Sequence, residues 1–168
     1  MMNKMRIWYE LVMTRGFDRL RSPLLLVLRA YIGYQFFIAG LGKLKNLQQF
    51  QDVLTNLGVP APALNAPFVA SLECFGGLLL LVGLASRLIA IPLAINMIVA
   101  YVTADHEALV NVFNNPDGFI AATPFLFLLV SLIVLAFGPG IVSVDALLER
   151  FVFRRDAVTA AMAFPKPA

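Results

Sequence analysis

At 168 residues, with 60% hydrophobic side chains, 14% charged ones and a mean hydropathy of +0.83, the chain has too few charges to keep a soluble domain dispersed and has the composition of a protein that lives in lipid. A net charge of +3 is small, and nucleic-acid binding finds no support in it. Cys74 is the only cysteine and His106 the only histidine, so an internal disulfide, a cysteine-held iron–sulfur cluster and a haem held between two histidines are all excluded.

Residues 1–21 form a basic segment carrying Lys4, Arg6, Arg15, Arg19 and Arg21. The charged stretch is too long, and followed by no small-x-small site, for a cleavable signal to be expected. A hydrocarbon core of about 30 Å needs about 20 apolar residues in helix. The first segment to meet that requirement is 23–41, interrupted only by Arg29. Leu47, Phe50, Val53, Leu54 and Leu57 then recur at helical spacing before Gly58, which predicts a short amphipathic helix at the membrane surface.

The second span is 66–84, interrupted only by Glu73, and the third is 88–103, with Pro92 in its first turn and Asn96 as an internal polar group that can bond across helices or meet a ligand. Residues 105–118 read as a loop with at most one helical turn; the "DHE" at 105–107 cannot converge on one ion unaided, and no metal site is expected. The fourth span is 119–137, with Pro124 deep enough to kink it. After "FGPGIVSVD" (137–145), residues 149–168 make a second basic segment with Arg150, Arg154, Arg155 and Lys166.

These elements make an all-α, integral membrane four-helix bundle over 22–148. Lys and Arg concentrate in the two terminal segments and, at Arg87, in the turn between spans two and three, leaving only Lys43 and Lys45 on the opposite side. Positive residues are retained on the cytoplasmic side, so both termini are expected there.

A charge inside a span costs at least about 2.5 kcal/mol, so Arg29 and Glu73 should face the bundle and be partnered. Arg29, Gly33, Phe36, Gly40 and Lys43 share one face of span one; Glu73, Gly76, Leu80, Gly83 and Arg87 share one face of span two. Gly33, Gly40, Gly76 and Gly83 are the expected helix-packing residues, since small side chains let membrane helices approach. An antiparallel pair would set Lys43 beside Glu73 and bring Arg29 level with Arg87, with Asp145 as the anion for the two arginines. Two readings of this network stay open: a structural clamp, or a polar cavity for a ligand or a proton. Tyr31, Tyr34, Phe36, Phe37 and Tyr101 could stack a flat ring such as a quinone.

The combination of "LRAYIGYQFFIAGLGKL", "LGVPAP", "ASLECFGGLLLLVGLASR" and "FGPGIVSVD", over about 24–148, resembles the DoxX family of small bacterial integral membrane proteins. The resemblance implies a four-helix bundle in the bacterial inner membrane and a link to membrane redox systems, some of them quinone-handling. Its motif residues, Arg29, Gly33, Gly40, Lys43, Glu73, Gly76, Gly77, Gly83 and Arg87, transfer without catalytic roles. The expectation is an accessory or anchor subunit with protein partners, in contact with the lipid bilayer, holding no metal or covalent cofactor and open to a quinone. The alternatives are a ligand-free structural subunit and, further off, a small transporter.

Overall fold

The computed structural model describes residues 17–140 and 142–148. Of the basic segment expected over 1–21, only the backbone of 17–21 falls among them; the tail 149–168 lies outside the described residues. The described chain is entirely helical: α1 Phe17–Lys45, α2 Leu47–Asn56, α3 Pro62–Val82, α4 Ser86–Thr103, α5 His106–Val110, α6 Pro116–Ala121, α7 Pro124–Phe137 and α8 Val144–Leu148.

Three of these, α1, α3 and α4, are long and apolar enough to cross a membrane. Only 33%, 39% and 33% of their most apolar stretches are buried within the protein. The rest of each span is half-buried or exposed, and the exposed leucine, isoleucine, valine and phenylalanine on that surface are stable against lipid but not against water.

The fourth expected span, 119–137, is not one helix. It divides into α6 and the 14-residue α7, because Ala122 is extended (φ −63°, ψ 139°) and Pro124 opens a new helix. Continuing α6 would drive the proline ring into the carbonyl four residues back and leave that carbonyl unpaired. At about 21 Å, α7 alone is shorter than the hydrocarbon core. Residues 105–118 also hold more helix than expected, α5 and the start of α6, with the Asn115 side chain accepting from the Gly118 amide at 3.1 Å.

α2 forms as its periodicity requires. Its Leu54 is buried against the protein, and the chain turns away at Gly58, whose φ of +70° suits a residue without Cβ. Between α3 and α4 the reversal takes three residues, with Gly83 (φ +77°) and Ala85 (φ +49°) both left-handed.

The helices pair as α1 with α3, α3 with α4, α4 with α7 and α7 with α1. All four contribute to one core: Ile32 and Phe36 from α1, Leu80 from α3, Ala90, Leu93 and Met97 from α4, Val130 and Val134 from α7. Phe36 meets the Phe127 ring edge-on at 4.6 Å.

The α1–α3 seam is the closest. A Cβ added at Gly33 would stand 2.7 Å from the Leu81 nitrogen and 2.9 Å from the Gly77 carbonyl oxygen; one at Gly40 would strike the Cys74 backbone, and one at Gly77 the Phe37 backbone. On α3 the seam thus runs Ala70, Cys74, Gly77, Leu81, one residue round from the expected Glu73, Gly76, Leu80 line. Gly76, expected to pack on α1, instead faces α4, where an added Cβ would stand 3.2 Å from the Ile89 and Leu93 side chains. One residue is about 100° of helix rotation, and with two adjacent glycines the spacing rule selects either.

Backbone cannot move aside as a side chain can, so Gly40→Ala and Gly77→Ala should each destabilise the protein by about 1–3 kcal/mol. Gly42→Ala, with nothing within 4 Å of the added carbon, should not. Thermal unfolding in detergent measures all three, and a neutral Gly40→Ala would contradict the seam.

Candidate functional site

The buried charges lie at the two ends of the α1–α3 pair. At the end towards α2, the Lys43 ammonium reaches both oxygens of the Glu73 carboxylate at 2.6 Å, and Oε1 also accepts from the Asn96 side-chain amide at 3.0 Å. Glu73 is 2% exposed, whereas the Lys43 side chain is 31% exposed. The lysine also lies 4.9 Å from the centroid of the Phe50 ring, a cation–π contact with α2.

Glu73 therefore joins α1, α3 and α4, and Lys43 adds α2. Because the seam presents Cys74 and Gly77 to α1, Glu73 stands at its edge, the one position from which a carboxylate can meet Lys43 on one helix and Asn96 on another. Asn96 thus bonds across helices, one of its two expected roles.

At the opposite end Arg29, 2% exposed, donates from Nη1 to the Pro139 carbonyl at 3.1 Å and from Nη2 to the Val142 carbonyl at 2.9 Å. Gly83 makes room for the guanidinium; a Cβ there would overlap it. Among the described residues the Arg29 Nε finds no hydrogen-bond partner.

Asp145 does not bridge two arginines. Its carboxylate accepts from the Ala85 amide at 2.7 Å and the Ser86 amide at 2.9 Å, while its own N–H donates to the Gly83 carbonyl at 2.9 Å. This placement fills the first turn of α4, where free N–H groups and the helix dipole favour an anion. Its charge acts on Arg29 through space, without a salt bridge between them among the described residues.

Arg87 departs further from expectation. It is exposed, with its guanidinium beside Gly138, where an added Cβ would lie 3.2 Å from Nε and Nη2. The left-handed residues at 83 and 85 break the helical register, so the spacing that carries Leu80 to Gly83 no longer carries on to Arg87.

The aromatic residues proposed for ring stacking do not converge. Tyr31 and Tyr34 face outward, Phe36 is buried against Phe127, and Tyr101 is buried with its ring stacked on Phe119 at 4.8 Å and its hydroxyl donating to the Phe119 carbonyl at 2.8 Å. An open cleft of about 560 Å³ lies beside α5, lined by Asp105, His106, Glu107, Asn111, Asn115 and Gly118. Among the described residues no group of three His, Cys, Asp or Glu is placed to hold a metal.

Sequence reasoning missed Phe50 as the cover of the lysine, although it lies two turns beyond Lys43 at helical spacing. It also missed the backbone carbonyls that hold Arg29. The available signal was the "GPG" at 138–140, whose Pro139 supplies one of the two carbonyls.

Residues 24–106 match the DoxX family model. Among proteins with similar sequence is "Putative oxidoreductase CatD" of Bacillus subtilis (strain 168), 31% identical over 83 residues, a match covering 49% of this chain and 60% of that protein. The chain thus spans less than two thirds of the length of this relative. No solved structure matches.

Removing one partner of a buried ion pair leaves a charge without compensation, whereas removing both spares that penalty. Lys43→Met strands the Glu73 carboxylate with a single amide and should cost about 3 kcal/mol or more. Glu73→Gln should cost less, since the partly exposed lysine can turn its ammonium to water. The double variant should recover most of the loss, and equal single and double losses in a thermal-unfolding cycle would mean that the two groups are not coupled.

Proposed function

We propose that the chain, whose residues 24–106 match the DoxX family model, is a member of that family and an accessory or anchor subunit of a bacterial membrane redox system. In this reading it is a multi-pass inner-membrane protein, its helices closing into a four-helix bundle, with both termini cytoplasmic and a partner protein carrying the electron-transfer centre. The observation that carries the reading is that the ionisable groups inside the bundle are held by the protein itself: Glu73 by Lys43 and Asn96, Arg29 by two loop carbonyls.

Such groups rigidify a scaffold. The chain's single cysteine and single histidine cannot build an iron–sulfur cluster or a bis-histidine haem site, so electrons would pass through a partner or through a diffusible quinone bound between the two. The redox assignment is supported by the name of the relative, an oxidoreductase. The orientation is supported by the basic residues of the terminal segments and Arg87, against Lys43 and Lys45 on the other side.

A structural subunit with no ligand of its own is the second reading, favoured by the same internal pairing.

Purification from native membranes in mild detergent, with mass spectrometry of co-purifying proteins and extracted quinones, tests the assignment. A stoichiometric redox protein supports it, with a quinone marking the shared site. A redox-inactive partner and no quinone would leave the structural reading. Independently, an export-dependent reporter fused after Phe113 should be active and one after Arg155 silent; the reverse would overturn the orientation.

A further inference from the structure

The cleft beside α5 lies at the level where lipid meets water. Arg87 at the start of α4 stands beside Gly138 at the end of α7, so the two helices are level there. From that end α4 rises 18 residues, about 27 Å, whereas α7 covers only 14, about 21 Å. α6 occupies the missing height. The Phe119 ring stacks on Tyr101, in the last turn of α4, and the Phe119 carbonyl accepts from the Tyr101 hydroxyl. Gly118, next to that ring, lines the cleft. The cleft therefore opens beside the last turn of a membrane span, at the bilayer interface and not in bulk water.

Its acids are unpaired. Asp105 is half-buried and Glu107 exposed, and neither carboxylate has a hydrogen bond or an ion pair among the described residues. The chain's own cations at this end of the bundle are Lys43, engaged with Glu73, and Lys45. A volume of about 560 Å³ is that of a small-molecule site, far larger than a bare ion needs, and no third ligand among the described residues stands ready to hold a metal.

The segment that forms the cleft also carries Phe113, 95% exposed, with Val110 at 58% and Ile120 at 54%. Large apolar side chains at an interface are stable against acyl chains and not against water. Carboxylates and apolar residues thus share one short segment at the height of lipid headgroups.

We propose that the cleft binds a phospholipid with a primary ammonium headgroup, the ammonium at Asp105 and Glu107 and the acyl chains along Val110, Phe113 and Ile120. The Asn115 side chain, whose oxygen is taken by the Gly118 amide, keeps its NH₂ to donate to the headgroup phosphate. The carboxylates select a cationic headgroup, and the apolar residues select a lipid over a soluble amine. A lipid with a glycerol headgroup offers the same chains and phosphate but no cation, which makes it the discriminating comparison. The inference rests on the membrane class of the protein and not on the redox reading.

Native mass spectrometry of the full chain in detergent, titrated with phosphatidylethanolamine or with phosphatidylglycerol of identical chains, is the direct test. The ethanolamine lipid should bind roughly tenfold more tightly. Asp105→Asn together with Glu107→Gln should abolish that preference, whereas Asp52→Asn, an acid on α2 outside the cleft, should leave it intact. Phe113→Ser should weaken both lipids alike. The two cleft carboxylates hold no partner in the protein, so thermal unfolding of the double variant should be unchanged. Equal affinity for the two lipids, a preference that survives the double substitution, or no effect of Phe113→Ser would each overturn the proposal. So would glycerophosphoethanolamine, which has no acyl chains, binding as tightly as the lipid.

Discussion

The arrangement turns on a carboxylate that lies in the interior of a protein whose outer surface is lipid. Glu73 cannot be left alone there: an isolated ion in hydrocarbon is far more costly than any packing the helices could offer in exchange. Its partners therefore fix the geometry. Lys43 and Asn96 come from different helices, so the distances of 2.6 and 3.0 Å can hold together only if α1, α3 and α4 keep one mutual rotation and one register. Apolar contacts between membrane helices are weakly selective, because lipid tails offer similar contacts. The polar triad supplies the specificity that the apolar core lacks.

The glycine seam and the charged triad depend on each other. Backbone contact at Gly33, Gly40 and Gly77 brings α1 close enough to α3 for the Lys43 side chain to reach Glu73 with both carboxylate oxygens engaged. A seam with larger residues would hold the helix axes further apart, and the bridge would lengthen or break. Conversely, the bridge selects Gly77 over Gly76 as the contact residue, because rotating α3 to put Gly76 in the seam would swing Glu73 off the seam's edge and away from Asn96. Packing and electrostatics agree on one rotation.

That mutual dependence explains what could be read from the sequence. The membrane class, three of the helices and the Lys43–Glu73 pairing follow from residue type and helical periodicity, which act locally and survive any tertiary detail. The seam's rotation did not follow, because Gly76 and Gly77 are adjacent and only the position of Asn96 on a third helix distinguishes them. Arg87 was misplaced because two left-handed residues interrupt the helix on which its position was extrapolated. Asp145 was assigned to a charge when its carboxylate serves two amides at the start of α4, and such amides carry no residue letter of their own. The fourth span divided at Pro124, where a kink and a fresh helix start are equally consistent with the letters. For Arg87, Asp145 and the fourth span the deciding feature was backbone, to which sequence patterns are nearly blind.

The two ends of the α1–α3 pair solve the same problem by different means, and the difference bears on how they respond to perturbation. Towards α2, charge meets charge, and the lysine is partly open to solvent beneath Phe50. At the other end Arg29 is held by carbonyls of a loop whose conformation depends on Gly138 and Gly140, both with positive φ. Neutral dipoles compensate a guanidinium only while the loop stays folded over it. Opening that loop would expose Arg29 and withdraw Asp145 from the first turn of α4 in one movement, because residues 139–145 supply both sets of contacts. The loop end is thus cooperative, whereas the Lys43–Glu73 end is a local bridge. A partner that bound the loop end would act on α1 and α4 together.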